Sequence, residues 1–456
     1  MSSPIEVPFV RVVLLNFNGG ASIIGAVGAA VATDWPQDRR QIVCVDNGST
    51  DGSIERVERE YPDVLIVRNG VNLGFPGNNS AMRNLDEVDY VALINSDAFV
   101  EVGWLRPLVE TAESDRTIGA VCPKILFNGE FVEVPLAVRT PKGTTPYAVR
   151  LRSLRVNGRE EFPRCHVALG GGRSSDRAGL FEWICDGSVL RFPLHREDRG
   201  KESLALEIGF QVDETCDVAV GGTSVRLGPA GTRQVVTALL DGTPPTVPVL
   251  NNVGSWLDPS WIGHERGLYR VDDGDFDRVM EVGTWCGAAV LLASSMLEDV
   301  GLFDDAFFLY YEDTDLAVRG RERGWKFVAE PSSRVFHDHS ASTVEGSALT
   351  AFHVERNRLM LVVRHAALGE VFEVTFGFFL VTLSYALKEL RDAVRQSRRF
   401  DGTVVFRRVR SMLGLIGKLP HALRARRRFS RRRLLSREQL KQTISLGSWS
   451  SGGSPP

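Results

Sequence analysis

The chain has 456 residues, 43% hydrophobic and 24% charged, with a formal net charge of −3. That length excludes a single simple core and predicts two or three domains, and the balance is that of a soluble globular protein. The small net charge conceals a basic segment: residues 388–441 hold 18 Lys/Arg against 4 Asp/Glu, a net of +14, which leaves −17 for the rest. A basic tail on an acidic body predicts an anionic partner, a membrane surface or nucleic acid.

In chain order, residues 10–15 read as a buried strand that ends at Asn16, and 22–32 as a small apolar helix. Residues 41–45 form a second strand, ending at Asp46, and 53–61 a helix capped by Ser53 or Asp51. Residues 64–67, 77–85 and 90–94 continue as strand, helix and strand. This rhythm of continuous apolar strands and helices predicts an α/β fold with a mostly parallel sheet covered on both faces. Polar clusters follow the strands at Asn16, at residues 46–51 and at Asn95-Ser96-Asp97, where such sheets bind ligands.

From about residue 131 to 250 short alternating stretches separated by glycine-rich turns predict an inserted all-β, sandwich-like domain. Residues 251–281 are polar and aromatic, an ordered loop near the site, and α/β character returns at 282–329. The C-terminal region is helical. Residues 371–387 are strongly apolar, but Glu373 and a length of 17 argue against a simple membrane span. The predicted organisation is 1–130 and 251–350 as two halves of the α/β domain and 131–250 as the insert. A helical, basic, membrane-associating region follows at 351–444, then a disordered Ser/Gly/Pro-rich tail at 445–456. The six cysteines are scattered without C-x-x-C spacing, predicting reduced thiols in a cytosolic protein, and residues 1–10 lack a signal-peptide pattern.

Six motifs occur in a fixed order: residues 15–19, 45–53, 72–75, 95–97, 287–289 and Tyr311-Glu312-Asp313-Thr314-Asp315-Leu316. Together they resemble the inverting family 2 glycosyltransferases of the GT-A fold, and within them the bacterial rhamnosyltransferase-like members. The resemblance spans residues 10–127 and 251 to about 365, outside the insert and the tail. It implies a donor side built from Asn16, Asp46, Asn47, Ser49, Asn72, Gly74, Phe75, Asn95 and Asp97, with Asp46 accepting a hydrogen bond from a uracil or thymine ring. It implies a Mg2+ or Mn2+ ion held by Asp97 and by His337, in preference to His339, where the family has Asp-x-Asp; Asn95 departs from that pattern. Asp313 is the expected base, beside Glu312, with like charges from Glu312 and Asp315 raising its pKa. Trp285, Gly287 and Asp315 are expected on the acceptor side, and the Arg356-Asn357 pair at a phosphate.

The implied activity is inverting transfer of a sugar, rhamnose first, from dTDP-rhamnose or a UDP-sugar. The acceptor would be a hydroxyl of a lipid-linked or polysaccharide substrate in cell-envelope glycan synthesis. The protein would be cytoplasmic and peripheral at the inner face of the cell membrane, bound to its anionic surface, with room for an oligomer. No recognition motif supports nucleic acid as a partner. Two alternatives stand beside this: a non-catalytic carbohydrate- or lipid-binding homologue, and a sugar nucleotidyltransferase. For the latter, this chain lacks the basic glycine-rich loop expected after the first strand, since residues 16–20 hold no Lys or Arg.

Overall fold

The computed structural model describes residues 7–140, 149–170, 172–176, 179–229, 233–242, 244–338, 347–395 and 397–448. His339 and residues 449–456 lie outside the described residues. Val10–Asn16, Arg40–Asp46, Leu65–Arg68 and Tyr90–Asn95 pair in parallel, in the spatial order Tyr90–Asn95, Val10–Asn16, Arg40–Asp46, Leu65–Arg68. β-Branched and Leu residues fill the three inner strands, which are largely buried, while the edge strand Leu65–Arg68 is partly exposed. Beyond Tyr90–Asn95 the sheet continues through Ala289–Ala293, Ile118–Phe127 and Lys326–His337; Ala289–Ala293 runs antiparallel between its neighbours. The sheet is therefore mainly parallel with an antiparallel strand at its centre.

Where a helix was expected at 77–85, the chain makes a 3-10 turn, Phe75–Asn78, and one short helix, Asn79–Met82. The Arg11 guanidinium stops it there, donating to the carbonyls of Ala81 (2.9 Å) and Asn84 (2.6 Å).

Ile118–Phe127 carries the chain out of this sheet into two antiparallel sheets that share one core. One is built on Phe131–Arg139 and Val189–Pro193, the other on Val149–Val156, Ser203–Val212 and Gln234–Asp241. Their inward residues, among them Val132, Val134, Leu151, Leu206, Ile208 and Phe210, are buried together, the alternation that a sandwich demands. The chain returns through Leu250–Asn252, which pairs with Ile118–Phe127. Phe127, His166 and Tyr269 stack at 4.5–5.5 Å and join insert to α/β sheet.

The helices Ala348–His365, Leu368–Arg395, Thr403–Arg432 and Arg437–Ile444 follow. Leu359 to Val363, Leu415, Leu440 and Ile444 pack with Phe307, Tyr311 and Val318, so this region is built into the body. Two expectations need correction. The apolar stretch 371–387 lies within a helix of 28 residues, long and apolar enough to cross a membrane by length and composition, so its length does not argue against a span. Residues 445–448 are not a free tail. The Leu446 carbonyl accepts from Gly283 N (2.8 Å), and a Cβ on Gly283 would lie 2.0 Å from the Ile444 carbonyl. Only glycine lets the last helix approach so closely.

Candidate active site

Asn16 and Asp46 end adjacent strands and are in register with each other. The buried Asn16 amide donates to the hydroxyls of Ser49 (3.0 Å) and Ser53 (2.9 Å), and its carbonyl oxygen accepts from Gly19 N (3.1 Å). One Asp46 oxygen accepts from Ser49 N (3.1 Å). Asp51 accepts from Ser53 N and Oγ, fixing the start of helix Ser53–Glu60. Asn47 faces inward. Its amide donates to the Gly74 carbonyl (2.8 Å) and its carbonyl oxygen accepts from Asn69 (2.8 Å), so it holds the 72–77 loop in place. Within that loop Asn72 Oδ1 accepts from Gly74 N (2.8 Å).

Gly74 has φ +68°, and a Cβ there would lie 1.9 Å from the Phe308 carbonyl. Phe75 N donates to the same carbonyl (2.8 Å). The loop after the third strand is thereby stitched to the segment that precedes Glu312-Asp313. That segment is unusual: Phe308, Tyr310 and Tyr311 all have φ of +66° to +69°. Left-handed backbone costs a non-glycine residue about 1–2 kcal/mol each, so something must hold it. Asn357 does, donating to the carbonyls of Phe307 (3.0 Å), Leu309 (2.8 Å) and Tyr310 (2.7 Å), with Arg356 adding Phe307 (2.7 Å). The Arg356-Asn357 pair thus shapes this loop through its backbone carbonyls, with Arg356 Nε donating to Asn357 Oδ1 (2.8 Å).

The segment opens helix Glu312–Glu322, whose first turn carries Asp313. Asp313 Oδ2 accepts from Gly287 N (3.0 Å) and Oδ1 from Thr314 N (2.6 Å) and Oγ1 (3.1 Å). Its pKa is nonetheless raised, because burial outweighs those hydrogen bonds. Glu312 is buried, its Oε2 lacks a partner, and burial followed by the Asp313 charge pushes its pKa well above the usual range. Glu312 therefore favours the neutral form.

Asp315 sits elsewhere. It is fully buried, meeting Arg319 (2.9 Å), Arg364 (3.2 Å) and His365 (3.0 Å). Despite burial, the Arg364 and Arg319 charges lower its pKa. It faces the C-terminal helices, away from Asp313's partner Gly287, and the raised pKa of Asp313 comes from desolvation and not from crowding by Asp315. Trp285 is 1% exposed and packs edge-on to Phe303 at 6.2 Å, so its ring offers no face to a sugar. Gly287 does belong here: a Cβ would lie 2.8 Å from the Phe75 ring and 3.4 Å from Asp313 Oδ2.

On the other side of the strand Ala289–Ala293, Asn95 N donates to the Ala288 carbonyl (2.9 Å). The two acidic motifs, more than 200 residues apart, thus hang on consecutive residues, Gly287 and Ala288. Asp97 is 5% exposed and its Oδ1 lies 3.2 Å from His337 Nε2. His337 Nδ1 is 3.0 Å from Asn251 Oδ1, and its Nε2 is turned to Asp97. Among the described residues there is no group of three or more His, Cys, Asp or Glu arranged for a metal. A carboxylate and an oriented imidazole do suit a hard divalent ion whose remaining ligands are phosphate oxygens and water.

Asn251 and Thr314 were not singled out from sequence. Asn251 had a signal, since it follows an apolar run as Asn16 and Asn95 do; Thr314 had none beyond its neighbours.

An α/β sheet with these polar clusters at its strand ends, and a half-buried carboxylate opening a helix beside them, defines an enzyme that works on a ligand at the strand termini. Residues 12–176 match the family model described as glycosyl transferase family 2. Over that segment the chain is similar to the family 2 glycosyltransferases, and its mainly parallel sheet is the arrangement of their GT-A fold. It is 33% identical over 121 residues to the N-acetylglucosaminyl-diphospho-decaprenol L-rhamnosyltransferase of Mycobacterium tuberculosis, covering 26% of this chain and 38% of that protein. It is 26% identical over 119 residues to a poly(ribitol-phosphate) beta-glucosyltransferase of Bacillus spizizenii, covering 24% and 18%. The chain thus spans well under half the length of these curated relatives. A solved structure of GalNAc-T7 with UDP, GalNAc and Mn2+ superposes with a TM-score of 0.44 at 14% identity, covering 79% of this chain and 48% of that one.

Proposed function

We propose that the protein is an inverting glycosyltransferase that moves a sugar from a nucleoside-diphosphate donor to a hydroxyl of a lipid-linked or polysaccharide acceptor in cell-envelope glycan synthesis. The observation that carries the reading is Asp313: a carboxylate with a raised pKa, aimed by Gly287 N–H and Thr314, at the start of a helix held by a strained loop. Asp313 takes the proton of the acceptor hydroxyl while its oxygen attacks the anomeric carbon and the bond to the diphosphate breaks. Asp46 accepts from the pyrimidine ring N–H, with Asn16 and Ser49 fixing its surroundings, and the 72–75 loop lies beside the nucleotide. Asp97 and His337 would hold Mg2+ or Mn2+, and such an ion offsets negative charge on the leaving diphosphate. Rhamnose from dTDP-rhamnose is the first choice of donor, supported by the name of the mycobacterial relative, with UDP-sugars behind it. The same name supports a lipid-linked acceptor, and the basic segment 388–441 supports a cytoplasmic place at the inner face of the membrane.

The test is a screen of sugar nucleotides for release of nucleoside diphosphate, with and without Mg2+ or Mn2+. Turnover of dTDP-rhamnose above the UDP-sugars, with inversion in the product, is the expected result. No release from any donor would favour a non-catalytic homologue.

A further inference from the structure

We infer that helices Leu368–Arg395 and Thr403–Arg432 form a hairpin that lies in the plane of an anionic membrane without crossing it. The inference deepens the membrane placement in the proposed function and rests on that reading for its cellular side. On the first helix Phe372, Phe376, Phe379, Leu383, Leu387 and Leu390 recur every three or four residues and are 45–66% exposed. At 100° per residue they share one sector of about 80°. Phe378 and Thr382, at 4–5% exposure, lie on a different face, against the second helix. On that second helix Phe406, Leu413 and Ile416 are 62–69% exposed. The exposed Arg424, Arg427, Arg428 and Arg431 follow them.

An apolar strip of this extent is uncommon on a soluble surface and calls for an occupant. Charge chooses it. Helix Thr403–Arg432 carries ten Lys/Arg and no Asp/Glu. A second copy of the chain laid on this face would bring like charges together. Anionic lipid headgroups complement the arginines, and the acyl boundary takes the apolar strip.

The first helix has the length and composition to cross a bilayer, yet its middle is tied to a charged group of the second helix, which is tied in turn to the body. The Arg408 guanidinium donates to Thr382 Oγ1 (2.9 Å) and lies 3.7 Å from the Phe378 ring centre. Arg407 and Arg408 also meet Glu355 (3.1 and 3.4 Å), on the helix whose Asn357 holds the loop before Asp313. A crossing helix would carry these charges to mid-bilayer or break the contacts. Lying flat keeps them on the protein side, and places the catalytic body against a surface where lipid-linked acceptors are presented.

Flotation of the full-length protein with phosphatidylglycerol or phosphatidylcholine vesicles, without donor or acceptor, tests this. The expected results are at least tenfold tighter binding to phosphatidylglycerol, release by high salt and by alkaline carbonate, and at least tenfold weaker binding of the triple variant Phe376→Glu/Leu383→Glu/Leu413→Glu with unchanged thermal unfolding. If that variant fails to fold, the surface variant Arg424→Gln/Arg427→Gln/Arg431→Gln should lose the lipid preference. Carbonate-resistant protein would show a crossing helix. Equal binding by the variants, or a dimer in sedimentation that the triple variant abolishes without effect on vesicles, would also overturn the inference. Since binding is read without turnover, a protein that binds vesicles but releases no nucleotide sinks only the transferase reading.

Discussion

At the scale of single residues, the two carboxylates of Glu312-Asp313 are separated by environment. Glu312 is buried with an orphaned oxygen and favours its neutral form; Asp313 is half-buried and held by three hydrogen bonds that suit its anion. Asp313→Asn should lower kcat by about 10²–10⁴-fold with KM changed little, since a base acts in the transition state. Glu312→Gln, which keeps shape and neutrality, should stay within a few-fold; an equal loss in both variants, measured by initial rates, would move the base away from Asp313. A base works in its deprotonated form, so activity should fall as pH drops through the Asp313 pKa. With that pKa raised, the acid limb of a kcat/KM profile should lie above the ordinary aspartate value of 3.8. The acidic motif itself was plain in the sequence. The opposite fates of Asp313 and Asp315, two positions apart, were not, because side chains two residues apart on a helix face different directions.

At the scale of elements, the 72–77 loop and the segment that opens helix Glu312–Glu322 are coupled by one carbonyl. Phe308 O accepts from Phe75 N and fills the space where a Gly74 side chain would be. Gly74→Ala meets both a left-handed φ and a backbone clash, and should cost about 2–4 kcal/mol of stability. It should also raise the donor KM and lower kcat together, because the displaced loop moves Asp313 as well. Thermal unfolding and steady-state kinetics check this; a change in KM alone would show that the loop acts on the donor only. The parallel strands and the all-β insert were legible, since continuous apolar runs and period-two alternation declare themselves locally. The 77–85 helix was overestimated because its stop is a guanidinium from the first strand, 70 residues away. The apolar stretch 371–387 is shorter than a span, but the helix that holds it runs on through the charged residues 388–395.

At the scale of the whole molecule, a buried charge network joins helix Glu312–Glu322 to the C-terminal region. Asp315 meets Arg319, Arg364 and His365; Glu322 meets His365 (3.2 Å) and Arg433. Burial lowers the His365 pKa, but Glu322 and Asp315 more than offset it and the net shift is upward from 6.5. A raised histidine pKa contributes stability that is fully present below 6.5 and is lost as pH rises through the folded value. Asp315 runs the other way: its lowered pKa contributes stability above 3.8 that is lost only as pH falls below it. The thermal midpoint should therefore peak at weakly acidic pH and decline on the alkaline side. His365→Asn should be less stable at pH 6 and show a flatter alkaline decline in calorimetry; an unchanged slope would remove His365 from the network.

The sequence by itself determined the resemblance to a family, the strand-end positions of Asn16, Asp46 and Asp97, and the candidate base, because these are local patterns of apolar runs punctuated by polar residues. Only the tertiary structure decided what each polar group does. Asn47 and Asn357 hold loops, Trp285 fills core, Asp315 anchors the C-terminal helices, and Asn251 orients His337 from 86 positions away. The reason is physical: a side chain's role follows from its partners and its burial, and both are set by segments brought together from distant parts of the chain.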